Sequence, residues 1–205
     1  LEDVQLHSLN ESLFALGKSE AVYGPVTSKP AQDRTEDASI VKFGDPPFTV
    51  PSYNSIPDAR VSLYLDFDGH VEATWGGYTN VVTPPLDRDG NLTNLGAEEL
   101  SFIQDVWRIV AEDYAPFNIN VTTVEPPALA PNIPSASANG VALRLAIGGT
   151  SSILGLGSGI IGYAYINSFT SATSNVAYVF PTSSTGSHSS AFTIATTVSH
   201  EAGHS

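Results

Sequence analysis

Hydrophobic and polar positions alternate along several short segments of the chain, which is the pattern of strands with one buried face. The clearest case starts near Asp58, where Val61, Leu63 and Leu65 alternate with polar residues. A stretch rich in glycine and proline follows at 69–90, and it predicts turns. The strand candidates, which share this alternation or a short apolar run, are residues 61–67, 119–123, 141–147, 161–166 and 176–180.

The apolar period changes to helical spacing in two places. Between Leu100 and Val110 apolar residues recur every three or four positions, Glu98 and Glu99 suit the first turn, and Pro116 ends the helix. The second helix comes near the end of the chain, where Ser189 or Ser190 can act as its N-cap and the helical spacing of apolar residues covers 191–202. The order of strand, long helix, several strands and last helix predicts an α/β (α+β) fold.

Residues 1–57 differ from the rest of the chain. They contain all the lysines and many of the prolines, with leucines at helical spacing over 4–17. This segment is predicted to be an N-terminal arm, a pro-segment or a linker. Residues 58–205 are predicted to form the compact domain.

Composition and charge exclude several classes of function. With 41% hydrophobic and 14% charged residues, the chain is too apolar for a disordered protein. A net charge of -13 argues against nucleic acid and anionic membranes as partners. The absence of cysteine excludes disulfides, thiol nucleophiles and cysteine-ligated metals. The absence of methionine, even at position 1, predicts that a leader was removed or that the chain was trimmed.

The last helix contains His200-Glu201-Ala202-Gly203-His204, which is the H-E-x-x-H pattern. Residues four apart share one helical face, so His200 and His204 can direct a ring nitrogen at one zinc ion. Glu201 can take a proton from a water molecule that zinc acidifies, and can return it to a leaving amine. The motif therefore predicts peptide hydrolysis.

At this motif the sequence resembles the metzincin clan of zinc metallopeptidases, near its reprolysin-like, secreted bacterial members. Further similar segments are 63–70, 110–117, 121–123 and 162–165. The resemblance implies a twisted, mostly parallel sheet of about five strands, a secreted endopeptidase, and an edge strand that pairs with an extended peptide substrate. The segment that matches this edge strand is 161–166, with Gly162, Tyr163, Ala164 and Tyr165 as candidate substrate-binding residues.

Members of the clan continue the motif with a glycine turn and a third ligand, whereas this chain ends at Ser205. The expectation is therefore a fragment, the N-terminal part of a catalytic domain, with the third ligand beyond Ser205 or on a complementary chain. His70 and His188 are the other histidines considered as substitutes, and nothing in their spacing favours either.

Two other functions and a second cation stay open at this point. Asp66 and Asp68, in a D-x-D-G sequence after a strand, fit a magnesium-dependent phosphatase. A binding domain that keeps the peptidase fold without activity is the other alternative. Calcium is a possible second cofactor, because oxygen-bearing residues have the spacing of a calcium loop: Asp87, Asp89, Asn91 and Glu98.

Overall fold

The computed structural model describes residues 49–127, 141–169 and 175–205. The helix expected over 4–17 and most of the N-terminal arm lie outside these residues. The elements in chain order are β1 (Val61–Asp66), β2 (His70–Trp75), β3 (Tyr78–Thr83), α1 (Ala97–Asp113), β4 (Ile119–Thr122), β5 (Val141–Ile147), a short 3-10 helix (Ser151–Leu154), β6 (Gly162–Tyr163), β7 (Val176–Val179) and α2 (Ala191–His204).

Five strands form one sheet in the order β4-β1-β5-β7-β6. β1 pairs in parallel with both β4 and β5, and β5 pairs in parallel with β7. β6 is antiparallel to β7 and lies at the edge of the sheet. The predicted α/β fold, with a mostly parallel sheet and two helices, is confirmed.

Both helices cover one face of the sheet. Successive strand residues point to opposite faces, so Leu63, Leu65 and their equivalents in β5 and β7 face the helices. α1 contributes Val106 and α2 contributes Val198 to the same core, and both are fully buried. α1 and α2 also pack against each other. Among the described residues no helix has the length and apolar character needed to cross a membrane.

A β-hairpin covers the other face of the sheet and adds two strands to the turns expected over 69–90. β2 and β3 pair as an antiparallel hairpin joined by Gly76 and Gly77. The signal in the sequence is this pair of glycines between two aromatic residues, because a two-residue turn needs positive φ. Gly76 has a φ of 55°.

Trp75 attaches this hairpin to the sheet edge. Its indole N–H donates a hydrogen bond of 2.9 Å to the carbonyl of Val176 in β7, and its side chain is fully buried. Its ring centroid lies 4.7 Å from Tyr178, 5.4 Å from Tyr163 and 4.4 Å from Tyr165. One side chain therefore connects the hairpin, β7 and the edge strand.

Residues 51–56 cover the opposite edge of the sheet, although they fall within the expected arm. The N–H of Ser55 donates to the carbonyl of Val121, and the N–H of Thr123 donates to the carbonyl of Tyr53, both at 3.1 Å. Tyr53 stacks on Trp107 of α1 at 4.9 Å. The packed domain therefore begins a few residues before Asp58.

Replacing Trp75 tests the role of this anchor. We expect Trp75→Ala to lower the free energy of unfolding by about 3–5 kcal/mol, because a large buried ring is removed and a cavity remains. Val71→Ala on the same strand is the control, since Val71 is half exposed. Urea denaturation measures both variants, and equal unfolding midpoints would contradict the assigned role.

Candidate metal centre

Burial holds α2 in place. Its N-terminus is capped by the Ser190 hydroxyl, which accepts a hydrogen bond of 3.1 Å from the N–H of Thr193. α2 contains three threonines, which are poor helix formers, so packing has to stabilise it. Ile194 and Val198 supply this packing, since both are fully buried against the sheet and α1. The hydroxyl of the buried Thr197 donates to the carbonyl of Thr193 at 2.8 Å, so its burial leaves no unpaired donor.

The far end of α2 is held by the loop that follows β6. The N–H of Asn167 donates to the carbonyl of His204 at 2.9 Å, and the N–H of Phe169 donates to the backbone oxygen of Ser205 at 3.0 Å. Asn167 has a φ of 59°, a left-handed conformation that asparagine tolerates better than most residues. Sequence reasoning missed this contact, because it joins residues far apart in the chain.

His200 and His204 form the centre of the candidate site. They lie one turn apart on α2, and their Nε2 atoms are 2.9 Å apart. The rings are perpendicular, with centroids 4.4 Å apart. Burial, and then the neighbouring His204, lower the pKa of His200. Both effects favour neutral imidazole, which is the form that binds metal.

The spacing of these nitrogens suits one zinc ion. Two imidazole nitrogens, each about 2.0–2.1 Å from a tetrahedral zinc, are about 3.3 Å apart. The observed 2.9 Å needs only a small rotation of the rings to reach that value. The donor set is also appropriate, since zinc readily accepts imidazole ligands.

Neither of the other two described histidines joins this pair. The Nε2 atom of His70 lies 3.2 Å from a carboxylate oxygen of Glu72, and Nδ1 of His188 lies 3.2 Å from the hydroxyl of Thr182. Within the part of the chain that the structure describes, no aspartate or glutamate forms a three-ligand group with His200 and His204.

Glu201 lies next to this pair but points into the protein, towards β6. Only 4% of its surface is exposed. Burial alone raises the pKa of its carboxyl from the ordinary value to about 7. A carboxyl with a pKa near neutrality can both accept and release a proton under physiological conditions.

The expected substrate-binding segment forms the edge of the sheet, and its side chains alternate between the two faces. Gly162 faces Glu201, and Ala164 packs with the core beneath the helices. Tyr163 and Tyr165 pack on Trp75 at the other face. Contact with a substrate would therefore involve mainly the backbone of this strand, whose outer side pairs with no strand among the described residues.

The polar turn that suggested calcium brings together a different set of carboxylates. Asp87, Asp89 and Glu99 have oxygens within 4.8 Å of one another. Glu98, the expected ligand, is not part of this group, and its Oε1 atom lies 3.3 Å from Nε of Arg88. Glu99 was missed because its role depends on the helix start: its carboxylate accepts the N–H groups of Gly96 at 2.6 Å and of Arg88 at 2.9 Å.

Asn91, the remaining expected ligand, is used within the same turn. Its side-chain oxygen accepts hydrogen bonds from the backbone N–H of Thr93 at 3.1 Å and from the Thr93 hydroxyl at 2.6 Å. Its backbone N–H donates to the Asp89 carboxylate at 2.9 Å. These bonds explain the shape of the turn without a cation.

Asp66 lies on the hairpin side of the sheet, where it contacts the guanidinium of Arg144. Arg144 also contacts Glu125 and lies 5.0 Å from the centre of the Tyr64 ring. Burial raises the pKa of Asp66 well above its usual range, although Arg144 opposes this shift. A phosphatase nucleophile has to reach its substrate, and Asp66 is 1% exposed.

Comparisons of this chain with protein-family models, with curated proteins and with solved structures find no match.

Removing Arg144 tests whether this buried ion pair supports the sheet. We expect Arg144→Met to lower the free energy of unfolding by about 3–5 kcal/mol, because the buried Asp66 carboxyl then loses the guanidinium that it contacts. Arg108→Met is the matched control, since Arg108 forms only exposed ion pairs at 3.9 Å. Equal unfolding midpoints in urea for the two variants would contradict this role.

Proposed function

We propose that this protein is a zinc-dependent endopeptidase of the metzincin type. The observation that carries the proposal is the 2.9 Å approach of the Nε2 atoms of His200 and His204, beside a buried glutamate. The end of α2 packs against the antiparallel edge strand β6, and an extended peptide would lie along this strand.

His200 and His204 would hold the zinc ion through their Nε2 atoms. A third protein ligand is usual at catalytic zinc sites and would come from outside the described residues. When bound, zinc supplies a Lewis acid that polarises a peptide carbonyl and acidifies a water molecule. The lowered pKa of His200 keeps its ring available as a neutral ligand.

Glu201 moves the proton in this proposal. Its carboxylate takes a proton from the attacking water and delivers it to the amine that leaves when the peptide bond breaks. The low exposure of the side chain supports this role, because few water molecules compete for the carboxylate.

The substrate would be a protein or peptide in an extended conformation. Its backbone would add to the outer side of β6 as one more strand, a common mode of peptide recognition. Tyr163 and Tyr165 would hold the edge strand in place from the hairpin side of the sheet, through their contacts with Trp75. The resemblance to secreted bacterial peptidases implies a secreted enzyme.

A non-catalytic binding domain is the second candidate, and it shares this fold. The buried position of Glu201 favours the enzyme, because burying a carboxyl costs free energy and is typical of sites that use it. The phosphatase is disfavoured by the burial of Asp66.

Glu201→Gln separates the enzyme from the binding domain. We expect kcat/KM for peptide cleavage to fall by roughly 100- to 10,000-fold, because the amide cannot accept the proton. Zinc content should stay the same, since both histidines remain. Glu112→Gln, an exposed position on α1, is the matched control and should keep full activity. Retained cleavage in Glu201→Gln would refute the proposed mechanism.

A further inference from the structure

Gly162 lies directly opposite the Glu201 side chain. A Cβ atom at position 162 would lie 2.4 Å from Oε1 and 2.7 Å from Cγ of Glu201, and 2.6 Å from Cγ2 of Thr197. These distances are much shorter than a normal van der Waals contact, so the atoms would clash. Gly162 does not have a positive φ, so the backbone conformation itself does not require glycine. The need for glycine here is steric.

Neither side of this contact can easily move away. β6 is fixed to β7 by the hydrogen bond of 2.8 Å from the N–H of Phe180 to the carbonyl of Ile161, and Tyr163 packs on Trp75. On the other side, α2 is held by fully buried apolar residues such as Val198. The part most able to give way is the end of the Glu201 side chain.

We propose that Gly162 is a positioning residue for Glu201. Its missing side chain leaves the space that the carboxylate occupies and so sets where that carboxylate lies relative to His200 and His204. This inference rests on the proposed function, in which Glu201 transfers the proton. Gly162 acts through Glu201, and this role is separate from any backbone contact of β6 with substrate.

The first test is Gly162→Ala in the purified native protein. We expect kcat to fall by about 100-fold, because displacement of a catalytic group by about 1 Å has that effect. KM and zinc content should change little, since the ligands and the outer side of β6 are untouched. Gly159→Ala is the control: Gly159 is exposed, and a Cβ there would meet nothing within 4 Å.

A second variant separates positioning from packing. Thr197→Ser removes the methyl group that a new Cβ would meet at 2.6 Å and keeps the hydroxyl that bonds to Thr193. Gly162→Ala should also lower the thermal stability, because its Cβ meets this methyl group. In Gly162→Ala/Thr197→Ser we expect a smaller loss of thermal stability while kcat stays low, because the Cβ would still meet Oε1 of Glu201. Recovery of kcat together with stability would overturn the proposal.

The Glu201→Gln background distinguishes failure of this inference from failure of the proposed function. Positioning predicts strong coupling, so adding Gly162→Ala there should lower the residual rate by no more than about twofold. If Glu201→Gln is inactive but Gly162→Ala is fully active, the inference is wrong and the proposed function stands. If Glu201→Gln is fully active, the proposed function is wrong and the inference with it.

Discussion

Burial of one face of α2 decides where every group of the candidate site lies. The helix contains three threonines and a glycine within its span, residues with weak intrinsic helix propensity, so packing has to supply its stability. Ile194, Val198 and Ala202 bury that face between α1 and the sheet. Once they are fixed, the 3.6-residue period turns Glu201 towards Gly162 of β6 and brings the two histidines together, one turn apart.

The edge of the sheet is the second half of the same arrangement. β6 is only two residues long, and alone it would be a weak edge. Trp75 compensates from the hairpin side through its contacts with Tyr163, Tyr165 and Tyr178. Two separate apolar clusters, one on each face of the sheet, therefore hold α2 and the edge strand β6. Gly162 of β6 lies opposite the Glu201 side chain of α2.

Local patterns in the sequence predicted the elements that have a clear period. Leu63 and Leu65 indicated β1, and the H-E-x-x-H spacing indicated that His200 and His204 share a face. Contacts between distant segments could not be predicted, because periodicity carries no information about partners. The acidic group contains Glu99 and not the expected Glu98, because the position at which α1 begins decides which carboxylate faces the N–H of Gly96. The closeness of Gly162 to Glu201 depends likewise on how β6 packs against α2.

The proposed function depends above all on zinc binding by His200 and His204. The most direct measurement is elemental analysis of the purified native protein, combined with zinc X-ray absorption spectroscopy. We expect about one zinc per chain with at least two imidazole nitrogens at about 2.0–2.1 Å, and loss of the metal in His200→Ala/His204→Ala. No zinc, or zinc that stays bound in that double variant, would refute the assignment of these histidines as ligands.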